Sequence, residues 1–112
     1  MNDRSIEIVF VEERIEREFE KLKNGKSEEK QLYKFISRAM NDLKQNPMCG
    51  IKIPRDRWPK AYIQKYEITN LWKYDLPNAW RLIYTIMADQ IRILNIILEW
   101  CSHKDYERRF GY

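Results

Sequence analysis

The chain is short of the residues that punctuate or staple small proteins. Among 112 residues there are only three glycines and four prolines, which excludes a collagen-like repeat and a flexible linker protein. It has two cysteines, Cys49 and Cys101, and one histidine, His103. Two thiols and one imidazole lack the spacing of a structural zinc site, so no metal and no cofactor is expected. The cysteines could pair, but nothing points to an oxidising compartment, and two thiols, buried or half-buried, are the plainer expectation. Long apolar runs are also missing. Stretches such as Ile96-Ile97-Leu98 are far too short to cross a bilayer, so no membrane partner is expected. Near the start, Ile8-Val9-Phe10-Val11 meets Glu12-Glu13 before a secretory h-region can form, and a cytoplasmic location is expected.

What is present is an ordinary globular composition, 44% hydrophobic and 34% charged. Length and composition predict one domain over residues 1–112. The charge is unevenly placed. Residues 1–46 carry ten Lys/Arg and ten Asp/Glu, whereas residues 47–112 carry eleven and seven, so the net charge of +4 lies wholly in the second part. A one-sided basic excess suits a nucleic-acid partner or, equally, a solubilising surface.

Hydrophobic spacing sets the expected elements. Ile6, Ile8 and Phe10 share one face of a strand over 5–11. Val11, Ile15, Phe19 and Leu22 recur at helical spacing, and Asn24-Gly25 stops that helix. Ser27 is an N-cap for a second helix with Leu32, Ile36, Ala39, Met40 and Leu43 on one stripe, ending at Asn46-Pro47. Residues 48–70 form a surface stretch with a short extended edge near Ile51 and helical turns from Pro59 to Tyr66. Strands follow over 71–76, 80–87 and 91–100, an antiparallel meander, and 102–112 form a polar, aromatic, basic tail. The expected fold class is α+β, in the order β-α-α-β-β-β with a short C-terminal tail. Two N-terminal helices lie on one face of a small, mainly antiparallel sheet. Alternation puts Trp80, Leu82, Tyr84 and Ile86, with Leu94, Ile96 and Leu98, beneath the helices. Arg81, Ile83, Thr85 and Met87 then face the other way, beside Ile93, Asn95 and Ile97.

Several residues admit both a structural and a chemical reading. Arg81 at a strand start is a solvated sheet-face residue or a phosphate clamp, since the guanidinium fork matches phosphate oxygens. His103 is a surface residue or, with Lys104, Tyr106, Arg108 and Arg109 around it, a proton donor beside charge-stabilising groups. The four tryptophans are core packing or base-stacking platforms, with Trp58 and Tyr62 the ones expected to be exposed. No Ser-His-Asp spacing and no glycine-rich phosphate loop is present.

Trp80-Arg81-Leu82-Ile83-Tyr84 and His103-Lys104-Asp105-Tyr106 resemble segments of the RelE/ParE toxin superfamily of type II toxin–antitoxin systems. Leu71-Trp72-Lys73-Tyr74-Asp75-Leu76 and Ile97-Leu98-Glu99-Trp100 resemble its archaeal-type branch. The resemblance covers the chain in element order and is specific in residues 71–110. It implies a RelE-like fold and an mRNA interferase, a metal-independent endoribonuclease that cuts mRNA on the ribosome and inhibits translation. By family position Arg81 would stabilise the phosphate, His103 would be the general acid or base, and Tyr106 would orient it or share the proton. Lys73, Arg108 and Arg109 would bind the RNA backbone, and Glu99 is a weaker candidate base. The implied partners are a cognate antitoxin, mRNA and the ribosome. The same superfamily includes ParE-like members that are not nucleases and act on gyrase, so that activity, or an inactive binding module, is the alternative.

Overall fold

The structure, a computed structural model, describes residues 4–112. Strand β1 (Ser5–Phe10) leads into helices α1 (Glu13–Leu22) and α2 (Ser27–Gln45). A two-residue strand β2 (Ile51–Lys52), helix α3 (Lys60–Tyr66), strands β3 (Trp72–Leu76), β4 (Trp80–Ala88) and β5 (Arg92–Ser102), and helix α4 (His103–Phe110) complete the chain. Among the described residues the class is α+β, as the spacing predicts, but the expected β-α-α-β-β-β order is corrected: four α-helices, not two, lie on one five-stranded mixed sheet of order β1-β5-β4-β3-β2. β3, β4 and β5 form the expected antiparallel meander, while β1 joins β5 in parallel.

The helical hairpin forms because each helix has one apolar stripe. Ile15 and Phe19 of α1 and Leu32, Ile36, Ala39 and Leu43 of α2 are buried. Most of these pack on Leu82, Tyr84 and Ile97 of the sheet. Ser27 is the first residue inside α2, and Glu29 closes the start by accepting the Lys26 N–H at 3.2 Å.

Two expectations, the exposure of Trp58 and Tyr62 in a surface stretch and the C-terminal tail, are corrected. On the face opposite the hairpin, α3, α4 and residues 53–58 bury a second core of Ile53, Trp58, Tyr62, Leu71, Ile83, Leu98, Cys101, Tyr106 and Phe110. Trp58 and Tyr62 are therefore buried, each 8% exposed, and the Trp58 indole donates to the Ile53 carbonyl at 2.9 Å. The tail is a helix. The Ser102 hydroxyl accepts the Asp105 N–H at 3.3 Å and so caps α4. Tyr106 and Phe110, one turn apart, anchor it, each contributing about 1.5–3 kcal/mol by burial.

The face assignment holds for β4 and fails for β5. Ile83 pairs with Glu99 but Tyr84 pairs with Ile97, so Leu98 is an extra residue in the ladder. Such a bulge shifts every residue beyond it to the opposite face. Ile97 and Asn95 thus lie beneath the helices, where the Asn95 amide donates to the Leu43 carbonyl at 3.3 Å, and Ile96 and Leu98 lie on the other side. No helix among the described residues is long and apolar enough to cross a membrane.

Candidate active site

The site is assembled where the β3–β4 hairpin meets the start of α4. Lys73 and Asp75, two apart on β3, share a face, and the register puts Asp75 directly opposite Arg81. The connecting turn, Pro77–Ala79, holds Asn78 and Ala79 at positive φ. From the third side, α4 contributes His103, Tyr106 and Glu107. With Lys73, Arg81 and Tyr112, these three α4 residues line an open cavity of about 350 Å³, and Asp75 pairs with its two cations.

Arg81 is the hub. Its side chain is only 15% exposed, and its Nε lies 3.0 Å from Asp75 Oδ1. One terminal nitrogen donates to the Trp80 carbonyl at 3.2 Å, and the other lies 3.0 Å from His103 Nδ1. Lys73 Nζ donates to the same Asp75 carboxylate at 2.9 and 3.3 Å. Because a guanidinium can only donate, His103 Nδ1 must accept. The ring proton then sits on Nε2, which lies 2.5 Å from Glu107 Oε1. His103 and Glu107 are one helical turn apart, so α4 itself aligns them.

Tyr106 forms the floor. Its ring lies 5.4 Å from Lys73 Nζ and 5.8 Å from the Arg81 guanidinium carbon. On α4 it stacks with Phe110, and beyond the helix with Tyr112, at centroid separations of 4.5 and 5.5 Å. Gly111 (φ 74) makes the second stack possible. It turns the chain in the left-handed region, and the Tyr112 N–H then bonds the Glu107 carbonyl at 2.9 Å. Arg57 donates to the Gly111 carbonyl and lies 4.5 Å over the Tyr112 ring, clamping this end from 3₁₀ turn 55–57. Burial, then the hydrogen bond with Tyr112, push the Tyr106 hydroxyl well above the usual phenol range, against the pull of Arg81. Tyr106 is therefore a neutral phenol and not a tyrosinate base.

The structure thus brings Lys73, Arg81, His103 and Tyr106 to one cavity and leaves Arg108 and Arg109 outside it. Arg108 pairs with Asp105 at 2.7 Å on the exposed side of α4. Arg109 pairs with Glu99, and both line a separate cavity of about 400 Å³ with Arg14, Tyr62 and Lys65. Burial raises the Glu99 carboxyl above its ordinary value while Arg109 opposes the shift. Glu107 and Tyr112 complete the cavity, Asp75 pairs with its two cations, and no motif marks any of the three. Asp75 follows from the hairpin register once the 77–79 turn is placed. Glu107 follows from i,i+4 spacing once 103–110 is a helix, which Ser102, Asp105 and Gly111 signal.

Among the described residues no cluster of three or more His, Cys, Asp or Glu is placed to hold a metal ion. Chemically, the cavity offers two cations for an oxyanion, an imidazole oriented on both nitrogens, and a neutral hydroxyl. No family model, no curated protein and no solved structure matches this chain.

Proposed function

We propose that the chain is an endoribonuclease of the RelE type, the toxin of a toxin–antitoxin pair, cutting mRNA on the ribosome without a metal. The observation that carries this reading is the convergence of Lys73, Arg81, His103 and Tyr106 on one open cavity, with Arg81 and His103 in direct contact. RNA cleavage by its own 2′-hydroxyl suits such a group. The hydroxyl loses its proton as its oxygen bonds phosphorus, and the 5′-oxygen leaves as it gains one, giving a cyclic phosphate and a 5′-hydroxyl. Arg81 and Lys73 neutralise the charge that builds on the phosphorane oxygens. His103 moves the proton, with Glu107 and Arg81 fixing its orientation. Tyr106, held neutral, is the ring floor against which both cations lie. Arg108, exposed on α4, meets the RNA backbone outside the cavity, and Arg109 contributes through its pair with Glu99. On this reading β1, α1, α2 and the β3–β5 meander are a RelE-like scaffold to which α3 and α4 are added.

The test is induction in a bacterial host with mapping of 5′ ends on a translated mRNA, wild type against Arg81→Ala. In-frame cuts that disappear in the variant are expected. Growth arrest without cuts would replace this reading with a ParE-like inhibitor of a protein target such as gyrase. Absence of both would leave a binding module.

A further inference from the structure

We infer that Asp75 is a displaceable counter-ion: in the free protein it occupies the oxyanion position of the Lys73–Arg81 pair and sets the threshold a phosphodiester must overcome to bind there. The inference rests on the reading of this cavity as a phosphodiester site. Three observations carry it. First, one carboxylate serves both cations, taking Lys73 at 2.9 and 3.3 Å and facing Arg81 Nε at 3.0 Å. Second, the Arg81 contact is close but misaligned. Arg81 Nε is a buried donor without a hydrogen-bond partner although Asp75 lies beside it. The pair thus has its Coulomb attraction, while the N–H itself is left for a better-placed acceptor. Third, the exposure is one-sided. The Asp75 side chain is 47% exposed, whereas those of Lys73 and Arg81 are 18% and 15% exposed. The cations are held by the Tyr106 ring, the Trp80 carbonyl and His103. When an anion arrives, the acid turns into water and the cations stay.

This arrangement has a chemical consequence. Exchange of Asp75 for one phosphodiester leaves the negative charge in direct contact with the two cations unchanged, because each carries one. The ligand gains only what its geometry adds over a carboxylate, chiefly an aligned bond from Arg81 Nε and a bidentate approach to the guanidinium. Isolated small carboxylates gain nothing by the exchange. A nucleic-acid strand, whose neighbouring phosphates add further contacts, does.

The test uses the full chain and a short fluorescein-labelled 2′-O-methyl RNA, which cannot be cleaved, with anisotropy read across a salt series. Asp75→Asn keeps the size and still accepts from Lys73, so its thermal melt serves as the check on folding. It should bind roughly tenfold tighter than wild type. Its plot of log affinity against log salt should be steeper by about 0.7, the value of one more single-strand phosphate neutralised. Glu16→Gln, an equal charge change on exposed α1, should leave affinity within about twofold, and Arg81→Ala should abolish binding. A merely structural Asp75 would make the Asn variant bind equally or more weakly. That result, with binding still dependent on Arg81, overturns the inference and leaves the cavity a phosphodiester site. No binding by wild type and Asp75→Asn alike removes the phosphodiester reading and the inference with it.

Discussion

His103 should be held in a single tautomer, with the proton on Nε2, and Arg81→Met should release it. The geometry sets the size of the effect. Moving the proton to Nδ1 would set an N–H against the Arg81 donor 3.0 Å away. It would also turn a lone pair toward Glu107, now 2.5 Å from Nε2. Both hydrogen bonds would be lost. The His103 and Glu107 side chains are 52% and 47% exposed, so each bond counts at the low end, about 0.5–1 kcal/mol. Together, about 1–2 kcal/mol corresponds to a roughly 5- to 30-fold preference for the Nε2–H form of the neutral ring. Arg81→Met removes one of the two and should reduce the preference to roughly two- to fivefold. His103 is the only histidine, so nitrogen-15 labelling of histidine gives one pair of ring signals, whose shifts and two-bond couplings report the tautomer directly. A wild-type ring protonated on Nδ1, or a preference unmoved by Arg81→Met, would refute the contact as drawn and, with it, the orientation assigned to the base.

Three further outcomes follow from the geometry. Gly50→Ala should destabilise the fold by about 1–3 kcal/mol, as overpacking does, because a Cβ there would lie 2.5 Å from the Tyr84 hydroxyl and 2.6 Å from the Lys73 carbonyl. A thermal midpoint equal to wild type would contradict this. In native protein near pH 8 a thiol reagent should label Cys49, which is exposed, and spare Cys101 until unfolding. Burial pushes the Cys101 thiol up to about 12, leaving a thiolate fraction of roughly one in ten thousand, and two fast thiols would count against the second core. Tyr74, bonded to Asp42 at 2.5 Å, is pushed up to about 12 by that hydrogen bond first and by burial second. The fold favours the neutral phenol, so this contribution to stability is complete below pH 10 and is lost as pH rises through about 12. Spectroscopic titration should show one tyrosine that returns toward the ordinary value in Asp42→Asn, and an unchanged titration would refute the bond.

Periodicity and residue type in the sequence were enough to determine the helical hairpin and the meander. Ile15, Phe19, Leu32, Ile36, Ala39 and Leu43 repeat at helical spacing, so each helix carries its buried face in its own residues, and 80–88 is a run of apolar, branched and aromatic residues that marks a strand, buried on both faces over 82–85. Three things were decided only in the folded molecule. The bulge at Leu98 depends on how β5 registers on β4 across their shared hairpin, which no pattern within either strand shows, and it reverses which residues lie under the helices. The burial of Trp58 and Tyr62 depends on α4 arriving from the far end of the chain. Because 103–110 is polar on most of its surface, only its caps and the Tyr106–Phe110 spacing mark it as a helix. The cavity has the same origin. Arg81 and His103 stand 22 residues apart. No local pattern relates them, but an antiparallel pair ending in a helix brings them to 3.0 Å, and the hairpin register sets Asp75 against Arg81. Residue types with chemical potential can be named from a sequence. Which of them share a charge, a proton or a cavity is settled by long-range register, because those interactions fall off within a few ångströms and need tertiary contact to exist at all.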